Sequence, residues 1–86
     1  MQADAAQITR LLKTARGQLD GILKMVGEDR YCIDISHQLL ATSAVLQRAN
    51  REILRAHMKS CVREAVNTGD ETKLDELVEL LDGLAK

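Results

Sequence analysis

The chain has no proline, phenylalanine or tryptophan, one tyrosine, five glycines and two cysteines in 86 residues. Each scarcity excludes something. Without proline, and with so few glycines, nothing punctuates the chain as a turn-rich β-fold requires, and composition favours helix throughout. With aromatics at 1%, there is no stacking platform of the kind that single-stranded nucleic-acid binders use. No apolar run approaches the roughly 18 residues of a membrane span, so no membrane partner is expected. No stretch has the pattern of a secretory leader either, and the expected compartment is the cytoplasm. There, two cysteines read as metal-binding or redox-active thiols ahead of a structural disulfide. The length fits one domain over residues 1–86, small enough that partner chains are an expected source of stability.

What is present is aliphatic and charged. Apolar residues make up 45% of the chain, and their volume comes from Leu, Ile, Val, Ala and Met. The net charge of −1 conceals an asymmetry. Residues 70–86 carry six acids against Lys73 and Lys86, while residues 1–69 hold ten basic and seven acidic groups. A mildly basic body with an acidic final segment can meet DNA, more strongly when several copies assemble.

The expected fold class is all-α, with three helices per chain. Ile8, Leu11, Leu12, Ala15, Leu19, Ile22 and Val26 recur at spacings of three and four and predict helix 1 over about 4–27. Gly17 and Gly21 either mark a close helix crossing or are tolerated within it. Gly27-Glu28-Asp29-Arg30 supplies the stop. From about 30 to 66 the apolar register of Leu39, Leu40, Ala44, Leu46, Ala49, Ile53, Leu54 and Met58 runs on without Gly or Pro. A helix 2 of that length outruns any bundle that one 86-residue chain can build, so it calls for a partner. Residues 67–70 break it, and Leu74, Leu77, Val78, Leu81 and Leu84 predict helix 3 over about 71–84.

The informative side chains are Cys32, His57 and Cys61. His57 and Cys61 stand four apart, so on a helix they leave the same face and can grip one ion. Cys32 precedes His57 by 25 residues, about 37 Å along a continuous helix at 1.5 Å per residue. The two cannot meet within one chain. Counted at about 100° per residue, however, all three fall on one face. Pairing helix 2 antiparallel with its copy, about an axis near Val45 or Leu46, sets Cys32 of one chain beside His57 and Cys61 of the other and makes the site twice. Two thiolates and an imidazole suit three-coordinate Cu(I), whereas Zn(II) normally wants a fourth ligand. The bland alternative stays open: a cysteine is often only a small core hydrophobe, and one His–Cys pair at that spacing is a weak signal.

The stretch from Asp29 to Ile35 around Tyr31-Cys32, the spacing to His57-Met58-Lys59-Ser60-Cys61, and Gly17-Gln18 upstream resemble the copper-sensitive operon repressor family, over about residues 8 to 82. The resemblance implies helices 1 and 2 of two subunits forming an antiparallel four-helix bundle, with homodimers assembling into a homotetramer. It implies Cu(I) held by Cys32 of one chain and His57 and Cys61 of another, with Tyr31 and Glu76 in an outer shell. Glu76 aligns only if the turn at 67–70 is one residue shorter than usual. It also implies a repressor that binds double-stranded operator DNA without metal and leaves it on Cu(I) binding, so that copper-export genes are expressed.

Branches of that family differ at the ligand positions. Nickel and formaldehyde sensors carry His or Glu where Cys61 stands, and persulfide sensors usually lack the His, so His57 together with Cys61 points to the copper branch. A persulfide- or redox-sensing repressor using Cys32 and Cys61 is the alternative. Helix 1 departs from the common pattern. Leu11, Thr14 and Asp20 stand where Arg is frequent, and Arg16 replaces an acid, closer to the formaldehyde-sensing branch.

Arg48, Arg51, Arg55, Lys59 and Arg63 recur on the helix 2 face opposite His57. Arg48, Arg51 and Arg55, extended by Arg10, Lys13 and Arg16 of helix 1, are the candidate DNA contacts, acting mainly on phosphates. The competing reading is a solvated helix face, with Glu52 inside the arc. No acid–base pair or nucleophile arrangement stands out, so an enzyme is not expected. A copper-storage or chaperone protein, binding Cu(I) without DNA, remains a rival.

Overall fold

The computed structural model describes residues 1–84; Lys86, counted above in the charge of the final segment, and the Leu84 side chain lie outside what is described. Among the described residues there are three helices and no strand: α1 (Ala5–Gly27), α2 (Cys32–Thr68) and α3 (Thr72–Leu84). The chain divides into two compact units, one of residues 4–52 and one of residues 1–3 with 53–86, and the division falls within α2. No described helix is long and apolar enough to cross a membrane.

The helix ends follow from local chemistry. Asp4 stands just outside α1 in an extended conformation, and its carboxylate accepts from the amides of Ala6 (3.0 Å) and Gln7 (3.4 Å). It caps two of the four amides that a helix start leaves unpaired, so α1 begins at Ala5 and not at residue 4. At the other end, Asp29 takes φ 52. Its amide donates to the carbonyl of Val26 (3.1 Å), and that of Arg30 donates to Met25 (3.0 Å). This is a Schellman closure with aspartate in the left-handed position that glycine usually fills. Because that turn uses Asp29 and Arg30, α2 starts at Cys32, later than the periodicity suggests. The Tyr31 carbonyl accepts the first bonds of α2, from Asp34 (3.0 Å) and Ile35 (3.2 Å).

α2 also persists to Thr68, beyond the expected end near residue 66. Asn67 and Thr68 are poor helix formers but not breakers; the stop waits for Gly69, at φ 75, whose amide donates to the Ala65 carbonyl (2.8 Å). Asp70 then accepts from the Thr72 amide (2.9 Å) and hydroxyl (2.6 Å). This local turn delays α3 to Thr72, one residue after the expected start.

In the 4–52 unit, α1 buries Ile8, Ala15 and Ile22 against α2, which contributes Ala49 and Thr42. The spacing of seven between the three α1 residues marks one seam of the helix. Thr42 is only 3% exposed. Its hydroxyl lies 2.9 Å from Gln18 Oε1 on α1 and 3.1 Å from the Gln38 carbonyl on its own helix. A buried polar atom without a partner is costly, and this one is satisfied. In the other unit, Leu77 of α3 and Cys61 of α2 form the buried centre.

The rest of the predicted apolar stripes is largely uncovered. Leu12, Leu19, Val26, Leu39, Leu40, Leu46 and Met58 remain exposed. Their periodicity correctly marks apolar faces, but the helices of one chain supply cover for only part of each face.

Candidate metal centre

The first turn of α2 presents Cys32 at the position directly after Tyr31, the residue whose carbonyl opens the helix. The thiol is free and exposed. It stands at the positive end of the helix dipole, which favours an anionic ligand atom. Tyr31 is 66% exposed, with its phenol clear of the 4–52 core.

His57 and Cys61 lie on α2 one turn apart, as their spacing requires. His57 is exposed, whereas Cys61 is 2% exposed and fully buried within its own chain. Cys61 Sγ lies 3.9 Å from the Lys73 carbonyl oxygen in the first turn of α3 and donates weakly to it. Lys73 in turn extends its ammonium to Glu64 Oε2 at 2.9 Å. That carboxylate, by hydrogen bond first and by charge second, raises the Lys73 pKa above its ordinary value, with smaller contributions from Cys61 and Glu76. Glu76 is exposed on α3.

Among the described residues, no three His, Cys, Asp or Glu side chains come close enough to hold an ion. The chemistry of the donor set nevertheless fits a soft cation: two free thiols and one imidazole, with a helical pair already on one face.

The candidate DNA contacts are all at the surface. Arg10, Lys13, Arg16, Arg48 and Arg51 are exposed in the 4–52 unit, and Arg55 is exposed in the other. Lys13 and Arg16, with Thr9 and Leu12, line an open cavity of about 300 Å³ on α1. None of these six makes an ion pair among the described residues, so each cation is available to phosphate.

Lys73, Glu64 and Thr42 are absent from the set that sequence reasoning singled out. Lys73 and Glu64 lie nine residues apart and on different helices. No periodic rule pairs such positions, and only the turn at Gly69 brings them together. Thr42 interrupts an otherwise apolar buried seam, and a polar residue in an apolar register is the one sequence signal that could have found it.

The model of metal-sensitive transcriptional repressors matches residues 4–83. A copper-sensing transcriptional repressor, CsoR, of Mycobacterium ulcerans is 46% identical over 69 residues, covering 79% of this chain. The chain spans 59% of that relative's length. Among solved structures, the copper-sensing repressor CsoR with Cu(I) from Geobacillus thermodenitrificans superposes with a TM-score of 0.85 at 36% identity, over 94% of this chain and 85% of that one. The nickel-responsive transcriptional regulator InrS also superposes at 0.85, with 32% identity, over 95% and 93% of the two chains. A match of this extent, on a fold of three helices with no strand among the described residues, establishes that the chain belongs to the metal-sensitive transcriptional repressor family.

Proposed function

We propose that this protein is a Cu(I)-responsive transcriptional repressor: without metal it binds double-stranded operator DNA, and Cu(I) binding releases it so that copper-export genes are expressed. The observation that carries the reading is the donor set of Cys32, His57 and Cys61, two free thiols and an imidazole, in a chain of this family. The likeness to a copper-sensing repressor crystallised with Cu(I) supports it. The nickel-responsive relative shares the fold, but the two soft thiol donors of this chain favour monovalent copper over harder divalent ions.

The working unit of this proposal is an antiparallel homodimer, assembling further into a homotetramer. The exposed Leu12, Leu19, Leu39, Leu40 and Leu46 support an apolar contact with a second copy. In that assembly Cys32 of one subunit joins His57 and Cys61 of the other. Those three side chains would hold Cu(I), which when bound would supply a soft acceptor for the two thiolates and the imidazole. Tyr31, next to Cys32 on the chain, and Glu76 on α3 complete an outer shell that couples α3 to the site. Arg48, Arg51 and Arg55 of α2, with Arg10, Lys13 and Arg16 of α1, engage DNA phosphates. Binding of this kind is salt-sensitive and largely tolerant of sequence. The metal acts as a switch because it favours the DNA-released arrangement by its differential affinity for the two states.

The test is an anaerobic titration of reduced protein with Cu(I) against a competing chelator, comparing wild type with His57→Ala. One tightly held ion per subunit, much weakened in the variant, is the expected result. Binding indifferent to His57 would refute the three-ligand centre and move the function to sulfur chemistry at Cys32 and Cys61.

A further inference from the structure

The ligand set is unevenly accessible. Cys32 and His57 face solvent, yet Cys61 is 2% exposed within its own chain. What covers it is visible in the 53–86 unit. The first turn of α3 passes over the sulfur, with the Lys73 carbonyl oxygen 3.9 Å from Sγ and Leu77 buried one turn further on. The same turn is fastened to α2 by the 2.9 Å ion pair between Lys73 Nζ and Glu64 Oε2. Both contacts of Lys73 therefore act on one point. Its backbone closes over the thiol while its side chain grips the helix that carries the thiol.

We propose that the first turn of α3 is a lid on Cys61, latched by the Lys73–Glu64 pair, and that opening of this lid governs how fast any thiol-seeking ligand reaches the sulfur. Lys73 and Glu64 are positioning residues in this scheme; neither touches the ligand. The flanking turn suits a hinge. Gly69 at φ 75 sits in open space, with no atom within 4 Å of where a Cβ would lie, and Asp70 holds Thr72 by bonds local to the turn. The lid thus swings without breaking packing other than that of α3 on α2. The latch is a modest one. Its side chains are roughly half exposed, 56% for Lys73 and 41% for Glu64, and a pair of that kind shifts an equilibrium by about two- to fivefold. A latch of this strength sets a rate without sealing the site. Applied to Cu(I), the lid rests on the function proposed above; applied to alkylation of the thiol, it does not.

The experiment uses the full chain and reads both cysteines in one sample. Reduced protein is treated with iodoacetamide under conditions where lid closing outpaces reaction, and modification of Cys61 and Cys32 is followed by peptide mass spectrometry. In that regime the Cys61 rate follows the open population. Glu64→Gln removes the latch while leaving the Lys73 charge near the thiol. It is expected to speed Cys61 modification about two- to fivefold relative to wild type, with the Cys32 rate unchanged. The reciprocal swap, Lys73→Glu with Glu64→Lys, restores a pair of opposite charges and is expected to return the Cys61 rate toward wild type. A Cys61 rate unmoved by Glu64→Gln, or moved in parallel with Cys32, would overturn the lid. So would a swap variant as fast as Glu64→Gln with unchanged helical circular dichroism. A stopped-flow measurement of Cu(I) uptake is the second arm. Faster alkylation with no Cu(I) uptake in any variant would uphold the lid and refute the copper function, whereas tight uptake with unmoved alkylation would do the reverse.

Discussion

Among the described residues, Thr42 and Gln18 make the one side-chain hydrogen bond between α1 and α2 within the 4–52 unit, and its energy can be isolated. Thr42→Val keeps the shape and the methyl group but leaves Gln18 Oε1 facing a hydrocarbon where it had a donor at 2.9 Å. Gln18 is only half-buried, so its amide regains water in part, and the cost falls at the low end of the range for an orphaned group, about 1 kcal/mol. Gln18→Met costs less, because the Thr42 hydroxyl still has the Gln38 carbonyl at 3.1 Å. The double variant replaces both partners by apolar groups and leaves nothing unpaired, so it should cost less than the sum of the singles. The coupling is expected near 1 kcal/mol, within the range for residues in direct contact. For a chain of this size that is about 4–8 °C in the thermal midpoint for a single variant. The assay is urea unfolding followed at 222 nm, at one fixed protein concentration, since self-association adds a concentration-dependent stabilisation. Single effects that add to the double within about 0.3 kcal/mol would refute the claim that this bond joins α1 to α2 energetically.

Two further outcomes follow from the turns. Asp29→Gly relieves a side chain at φ 52 and should stabilise by up to about 1 kcal/mol, while Gly69→Ala places one at φ 75 and should destabilise by about 1 kcal/mol; denaturation midpoints of opposite shift check the pair. The Thr72 hydroxyl, and then the Thr72 amide, lower the Asp70 pKa below its ordinary value. A depressed carboxylate contributes stability that is full above its unfolded pKa, about 3.9, and is lost as pH falls through the lower folded value. The stability difference between wild type and Asp70→Asn should therefore be constant from neutrality to about pH 5 and shrink below pH 4. Midpoints measured across that range would expose a difference that instead grew on acidification.

Much of the architecture is legible from residue spacing alone. Three helices follow from apolar periods of three and four, and from a chain in which Gly27 and the segment at 67–70 are the only strong interruptions between residues 22 and 82. The shared face of His57 and Cys61 is equally legible, since the two need only the pitch of a helix to lie one turn apart. Helix ends were less so. Asp29, and not Gly27, takes the left-handed turn, because aspartate adopts that conformation at less cost than most side chains and the closing bonds to Met25 and Val26 offset the rest.

Periodicity states which face of a helix is apolar, but not what lies against it. It could not tell that Cys61 is covered while Cys32 and His57 are open, because the cover comes from a carbonyl twelve residues on, set in place by a turn whose direction depends on Gly69. Nor could it pair Lys73 with Glu64, or seat Thr42 against Gln18 across 24 residues. Helix formation is a local matter of backbone bonds and side-chain pitch, so the sequence determined the elements and the chemistry they carry. Contacts between helices depend on how each turn redirects the chain and on which surfaces then exclude water. Those only the tertiary structure decided.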